Sequence, residues 1–285
     1  MDTEITGKEP VTMKKVLLII TLLTAAMIGC SSCTRSTEDY EIVTLKDGTE
    51  LFRYTTDMDY YVIRSLKNCT STVYVVPDAN VNGYRITEMW EKAVVGNTTI
   101  RTMIFQDNIE SFSFDLYYEF SSLESIFIGA GVRKVWSGTF AKCPNLKQVT
   151  VDVRNAVYRS ENNAVIEKST DRLVAASAAT VVIPDSVRII GSNAFDYSRC
   201  ESMIIPENVV SIEKCAFQKC AELRTVFIPA SVEKIAGFAF RETGGTTFYC
   251  EAAEKPDGWN DDWCGDAADK IIWGADAGAI GGKTS

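Results

Sequence analysis

The chain has no histidine at any of its 285 positions. That removes the base of a Ser-His-Asp triad, the partner of a catalytic cysteine, and every imidazole ligand to zinc or haem. Basic charge is scarce as well. Twenty-nine Lys and Arg stand against 38 Asp and Glu, for a formal charge of −9. A nucleic-acid binder needs a basic face to release counterions, and this balance argues against one. It also gives no electrostatic reason to lie flat on an anionic bilayer. Long apolar runs are missing: the prominent one, residues 16–28, is too short for a comfortable transmembrane helix. No Gly-rich phosphate loop is present, and the glycines of 274–282 read as a flexible tail.

What is there suits a globular chain: 46 % apolar and 24 % charged residues, enough for one large domain or two small ones. Its first feature is an address. Lys14 and Lys15 precede the apolar run, which ends in Met27-Ile28-Gly29-Cys30. The order of positive, apolar and small residues is that of a secretory signal. Its end resembles a bacterial lipobox, with Met27 in place of the more usual Leu. The resemblance implies lipidation of Cys30, which then becomes N-terminal. Residues 1–12 have no place in such a signal, so Met13 is the expected start. The polar stretch after Cys30 suits a tether. Stable anchoring takes more than one acyl chain. An acylated Cys30 also disposes of Cys30-Ser-Ser-Cys33 as a redox or zinc half-site.

The second feature is repetition. IPDSVRIIGSNAF (183–195), IPENVVSIEKCAF (205–217) and IPASVEKIAGFAF (228–240) align without gaps, with prolines at 184, 206 and 229. IGAGVRKVWSGTF (128–140) is a degenerate copy, and weaker copies reach back to residue 75. Residues 152–180 break the period and read as a hairpin-like insertion replacing one coil. A period of 22–23 lies in the leucine-rich-repeat range and is too short for a helical pair. In L-x-x-V-x-I-P the apolar residues alternate as in a strand, and Pro ends it. One coil cannot bury its own face, so the coils must stack. Phe195, Phe217 and Phe240 should then form an internal ladder.

The I-P-x-S-V-x-x-I-x-x-x-A-F-x-x-C-x-x-L skeleton resembles the BspA-like leucine-rich repeats of bacterial surface proteins. The resemblance covers about 73–250. It extends to PDANVNGYRIT before the first coil and to TTFYCEAAEKPDGWNDDWCG after the last, where Trp259 and Trp263 would close the stack. It implies a secreted or surface-attached binding protein, with no catalytic motif and no cofactor. The expected fold is mainly β: one solenoid with a stacked parallel sheet and short turns or helical bits on the other side. The expected organisation is an upstream extension (1–12), signal peptide (13–29), tether (30–40), N-terminal cap (41–72), solenoid (73–250), C-terminal cap (251–274) and tail (275–285).

Cysteines and acids read mainly as architecture. Cys143 and Cys220 share a repeat position about three coils apart, near 14 Å at the strand spacing, beyond the reach of a bridge. Cys200 sits where Leu146 and Leu223 sit and suits a buried apolar site. Cys250 and Cys264 lie outside the repeats, and a disulfide between them is expected. Asp257, Asp261, Asp262 and Asp266 flank Trp259 and Trp263. A glycosidase needs only two carboxylates, but a terminal coil needs a polar outer face. The acids do not reproduce an EF-hand, and no metal site is expected.

Three functions compete: a surface lipoprotein binding a protein or glycan, an envelope carbohydrate-active enzyme, and a structural envelope protein without a ligand. The first is favoured, at the outer membrane, as a monomer touching the membrane only through its lipid. Strand alternation places Val75, Ile104, Phe127, Thr150, Val182, Ile204, Phe227 and Tyr249 on the outer face of the sheet. Arg101, Glu124, Lys147, Glu201 and Arg224 form a polar column beside them. An exposed apolar stripe marks a partner site. Ile104, Phe127, Ile204, Phe227 and Tyr249 are therefore the candidate contacts, and changing Phe127 and Phe227 to Ser should spare stability. The competing reading has the insertion fold over the stripe.

Overall fold

The structure, a computed structural model, describes residues 35–37, 40–55, 58–114, 118–180, 182–266, 268–276 and 278. Cys30 and the lipobox-like segment lie outside the described residues.

Most coils contribute two strands; the coil that begins at Ile183 contributes only Ile189–Ile190. The L-x-x-V-x-I segment forms the longer one, as in Thr225–Ile228, and V-x-x-I forms a two-residue one, as in Lys234–Ile235. The longer strands stack in parallel as two four-stranded blocks. Val73–Val75, Thr102–Phe105, Ser125–Ile128 and Gln148–Val151 make the first. Ser202–Ile204, Thr225–Ile228, Thr246–Cys250 and Ala268–Trp273 make the second. The short strands also stack in parallel, so the solenoid's other side is a second sheet rather than a row of helices. The single helical element among the described residues is the 3-10 turn Glu91–Val94.

The turns explain the sequence signature. Pro206 and Pro229 follow the ends of their strands, and the carbonyls of Pro184, Pro206 and Pro229 accept the N–H groups of Val187, Val209 and Val232 at 3.0–3.2 Å. In the three C-terminal coils two later positions are left-handed, and the first of them recurs at Gly138. One holds Gly138, Asn193, Cys215 and Phe238, with φ between 55° and 74°; the other holds Tyr197, Lys219 and Glu242, with φ of 59° to 61°. Most of these residues are not glycine. Their backbone is held by bonds to the next coil: Tyr197 N–H donates to Gln218 O at 3.0 Å and Lys219 N–H to Arg241 O at 2.9 Å. The stacking thus sustains a conformation that the residues disfavour locally.

The phenylalanine ladder is present. Phe195, Phe217 and Phe240 stack with centroids 4.9 Å apart and planes within 9°. Trp263 closes the ladder edge-on against Phe240 at 5.8 Å. At the other end the antiparallel strands Tyr40–Thr44, Glu50–Tyr54 and Tyr60–Ser65 extend the second sheet beyond the first coil.

The insertion is a three-stranded antiparallel meander, Tyr158–Glu161, Ala164–Glu167 and Arg172–Ala176. Its first turn is Asn162-Asn163, both left-handed, as a two-residue hairpin requires. It does not fold over the outer face as a lid. Val165, Val174 and Ala175 pack into the N-terminal core, while Ala164, Ile166, Leu173 and Ala176 pack into the C-terminal one. The meander is a wedge whose two faces seal the two halves, and its last strand pairs in parallel with Ile189–Ile190.

Phe217 is fully buried with a ring on each side. Phe217→Ala should cost on the order of 3–5 kcal/mol. Amide exchange should show lost protection in the coils of Phe195 and Phe240 as well. A change confined to its own coil would contradict the ladder.

Candidate functional site

The outer column of the first sheet has the expected register but not the expected exposure. Val75, Ile104, Phe127 and Thr150 are successive lateral partners, and so are Ile204, Phe227 and Tyr249. Val182 lies outside any strand, so the column forms two blocks rather than one stripe. Ile104 and Phe227 are 2 % and 1 % exposed, although neither belongs to the core clusters that hold their strand neighbours. This corrects the expectation that both face solvent. Alternation fixes the side of the sheet on which a residue stands, not how much of it water reaches. Phe227 stands between Ile204 and Tyr249, and Ile104 between Val75 and Phe127, one strand spacing from each neighbour. Phe127 and Tyr249 are half-buried. Ile204, on the edge strand of its block, keeps 54 % of its surface exposed. In the adjoining column Arg101 and Glu124 pair at 2.8 Å.

The second sheet carries a cleft of about 760 Å³ that the repeat pattern had not singled out. Trp90 and Trp136 line it, 39 % and 49 % exposed. Aligning 128–140 with the later copies would have revealed it. Trp136 falls where Gly191, Glu213 and Ala236 fall, so the fold itself does not ask for an indole there. Buried asparagines were missed too. Asn97, Asn108 and Asn155 each donate to two backbone carbonyls at 2.7–3.0 Å, tying loop to loop.

At the C-terminal end Trp259 and Trp263 are buried, 5.1 Å apart, and Trp259 Nε1 donates to Val232 O at 2.9 Å. They close the core and offer no platform to the nearby acids. Asp261 pairs with Lys255. Cys250 and Cys264 are both free thiols, so the expected bridge is not formed here. Burial pushes the Cys250 thiol up to about 12, with the Cys264 thiol nearby adding to it. Cys143, Cys200 and Cys220 are free and buried, and burial raises each thiol. The Cys220 thiol donates to Phe195 O at 3.1 Å.

One polar cluster spans the insertion. Lys142, before it, places its ammonium 3.5 Å from the centroid of Tyr197, after it; Lys219 stands 5.0 Å from the same ring. Asp196 lies beside them. Burial raises its carboxyl from 3.8 to about 6, against the pull of Lys219 and Lys142, and its Oδ1 has no hydrogen-bond partner. The unfolded carboxyl ionises at lower pH than the folded one. Stability linked to Asp196 is therefore intact below pH 3.8 and is lost as pH rises through about 6. Asp196→Asn should melt higher than the parent at neutral pH and match it in acid. Thermal scans at both values check this, and a gain confined to acid would reverse the sign. Urea titration should also separate the outer-column residues. Phe227→Ser should cost about 3 kcal/mol or more, and Ile204→Ser no more than about 0.5 kcal/mol.

Comparison with known proteins agrees with this architecture. The profile of the BspA type leucine rich repeat region matches residues 64–167 and 175–253, in six copies. No curated protein matches the sequence. Among solved structures, a leucine-rich repeat protein from Eubacterium ventriosum is similar, with 16 % identity and a TM-score of 0.51, over 85 % of this chain and 78 % of that one. A leucine-rich repeat protein from Bacteroides ovatus shares 17 % identity, with a TM-score of 0.41, over 83 % of this chain and 52 % of that one. A leucine rich cell surface protein from Faecalibacterium prausnitzii shares 13 % identity, with a TM-score of 0.24, over 88 % of this chain and 97 % of that one. The repeat skeleton, the stacked coils and the profile together place the chain in the BspA-type leucine-rich repeat family.

Proposed function

We propose that this is an exported lipoprotein, anchored through Cys30 at the bacterial outer membrane, whose solenoid binds a protein or glycan partner. Its work is binding rather than catalysis, and it needs no cofactor. The repeat family and the lipobox-like segment support the address. The observation that carries the binding role is Ile204, a large aliphatic side chain left 54 % exposed on a sheet edge. Phe127 and Tyr249 stand partly open in the same outer column. Exposed apolar groups on a rigid face are what a partner surface uses. With Ile104 and Phe227 buried, the contact set narrows to Phe127, Ile204 and Tyr249.

Two measurements test the two halves of the reading. Cys30→Ser in a native host should lose palmitate labelling and leave the membrane fraction, and protease shaving of intact cells should remove the parent protein. Retention of the label by the variant would overturn the anchor. Ile204→Asp should keep the parent's melting temperature and lose capture of extracellular host proteins and glycans. Undiminished capture would remove the outer column from the interface.

A further inference from the structure

We propose that the cleft between Trp90 and Trp136 is a saccharide site that holds a short neutral stretch of a polysaccharide. This rests on the reading that the solenoid binds a partner, and it names that partner's chemistry at a second face. Register gives the geometry. Met89, Phe112 and Val135 are lateral partners and point inward. One residue further on, the same row reads Trp90, Ser113 and Trp136. The indoles therefore flank a small serine, two strand spacings apart, about 10 Å. Two ring-to-ring van der Waals contacts take about 7–8 Å of that width, so one sugar ring fits between them.

Each indole is braced. Trp90 packs on Phe52 at 4.9 Å, and the Lys134 ammonium sits 3.4 Å from the Trp136 centroid. Bracing lowers the entropy lost on binding. An indole face is negative, and the C–H face of a pyranose presents polarised hydrogens to it. Sugar hydroxyls need donors and acceptors around that platform. The cleft supplies Glu88, Glu91 and Glu110 with Lys92, Arg133 and Lys134. Three acids against three bases favour a neutral chain over a sulfated or polyanionic one. The carboxylates of the three glutamates and the ammonium of Lys92 form no ion pair with a described residue, so their hydrogen-bonding capacity is open. The cleft's size lies within the roughly 300–1,000 Å³ of small-ligand sites.

The other half of the solenoid supplies the contrast. Its corresponding row is Gly191, Glu213 and Ala236. There Glu213 is engaged by Arg172 at 2.6 Å and by Ser192 at 2.9 Å. A cleft of about 460 Å³ lies there too, but its carboxylate is engaged by Arg172 of the insertion and its one lining indole, Trp259, is buried, whereas the N-terminal half presents two partly exposed indoles.

The test is tryptophan fluorescence and calorimetric titration of the mature protein with cellohexaose, maltohexaose, xylohexaose and chitohexaose, and with a heparin hexasaccharide. At least one neutral probe should bind saturably at millimolar concentration or below. Trp136→Ala should weaken it at least about tenfold, as loss of an anchor residue does. Ser113→Trp, which fills the slot at the cost of the long Thr139 hydroxyl contact at 3.4 Å, should abolish it. Melting temperatures confirm that both variants fold, and either one alone suffices. No saturable neutral probe, binding of heparin alone, or equal binding by the variants overturns the proposal. Where the neutral probes fail but Ile204→Asp still abolishes capture of a host protein, only the saccharide site falls. Where that capture is also missing, the binding reading falls with it.

Discussion

Everything in this molecule depends on one coil backing the next. A coil of 22–23 residues has too little interior to bury its own side chains, so its apolar row must meet another row. The stacked rings of Phe195, Phe217 and Phe240 are the clearest instance. Around them the backbone follows the same rule: Phe195 and Phe217 N–H groups donate one coil onward, to Ala216 and Ala239 at 2.8 Å. Polar side chains obey it as well, with buried Asn155 holding Gly129 and Val132 carbonyls. Stability is therefore a property of interfaces between neighbours, and the two ends are where it must be completed. A β-meander extends one end, and Trp259 with Trp263 plugs the other.

The insertion shows how the stack tolerates a foreign element. A meander placed between coils would part them if only one face were apolar. Both faces are apolar here, so each half of the core finds a wall. The polar edge stays continuous across the junction, with the Lys142 and Lys219 ammonium groups both over the Tyr197 ring. The penalty is local: Asp196 is buried beside that bridge with an unpartnered oxygen. The wedge also divides the outer column into two blocks, which a uniform repeat would have kept as one.

The fold was legible because its determinants recur. Pro206, Val209, Ile212 and Phe217 each have counterparts at one period's distance, and the repetition exposes their roles. The side of the sheet was legible as well, since alternation assigns Phe227 and Ile204 to the same face. Their burial was not, because 1 % against 54 % exposure depends on neighbours across strands. The left-handed positions were hidden for a different reason. Cys215, Lys219 and Phe238 are not residues that announce positive φ, and Lys219 and Phe238 are held there by bonds to Arg241 and Asp262 of the next coil. The second sheet is not legible in the sequence, because two residues such as Ser211-Ile212 are too few to show a strand period.

In a repeat protein, residues that serve the stack are those the repeat conserves within itself. Function therefore shows best where a coil departs from its siblings without a structural reason. Trp263 departs from the pattern, but it completes the core and is explained. The Asn162-Asn163 turn departs too, and the hairpin explains it. Trp90 and Trp136 are of another kind. Gly, Glu and Ala occupy the corresponding positions in coils that stack equally well, and the indoles stay 39 % and 49 % exposed, outside the apolar clusters that hold the coils together. Exposing two tryptophans on either side of a serine costs solubility and returns no packing. A surface feature that the architecture neither needs nor hides is most economically accounted for by something outside the chain that fits it.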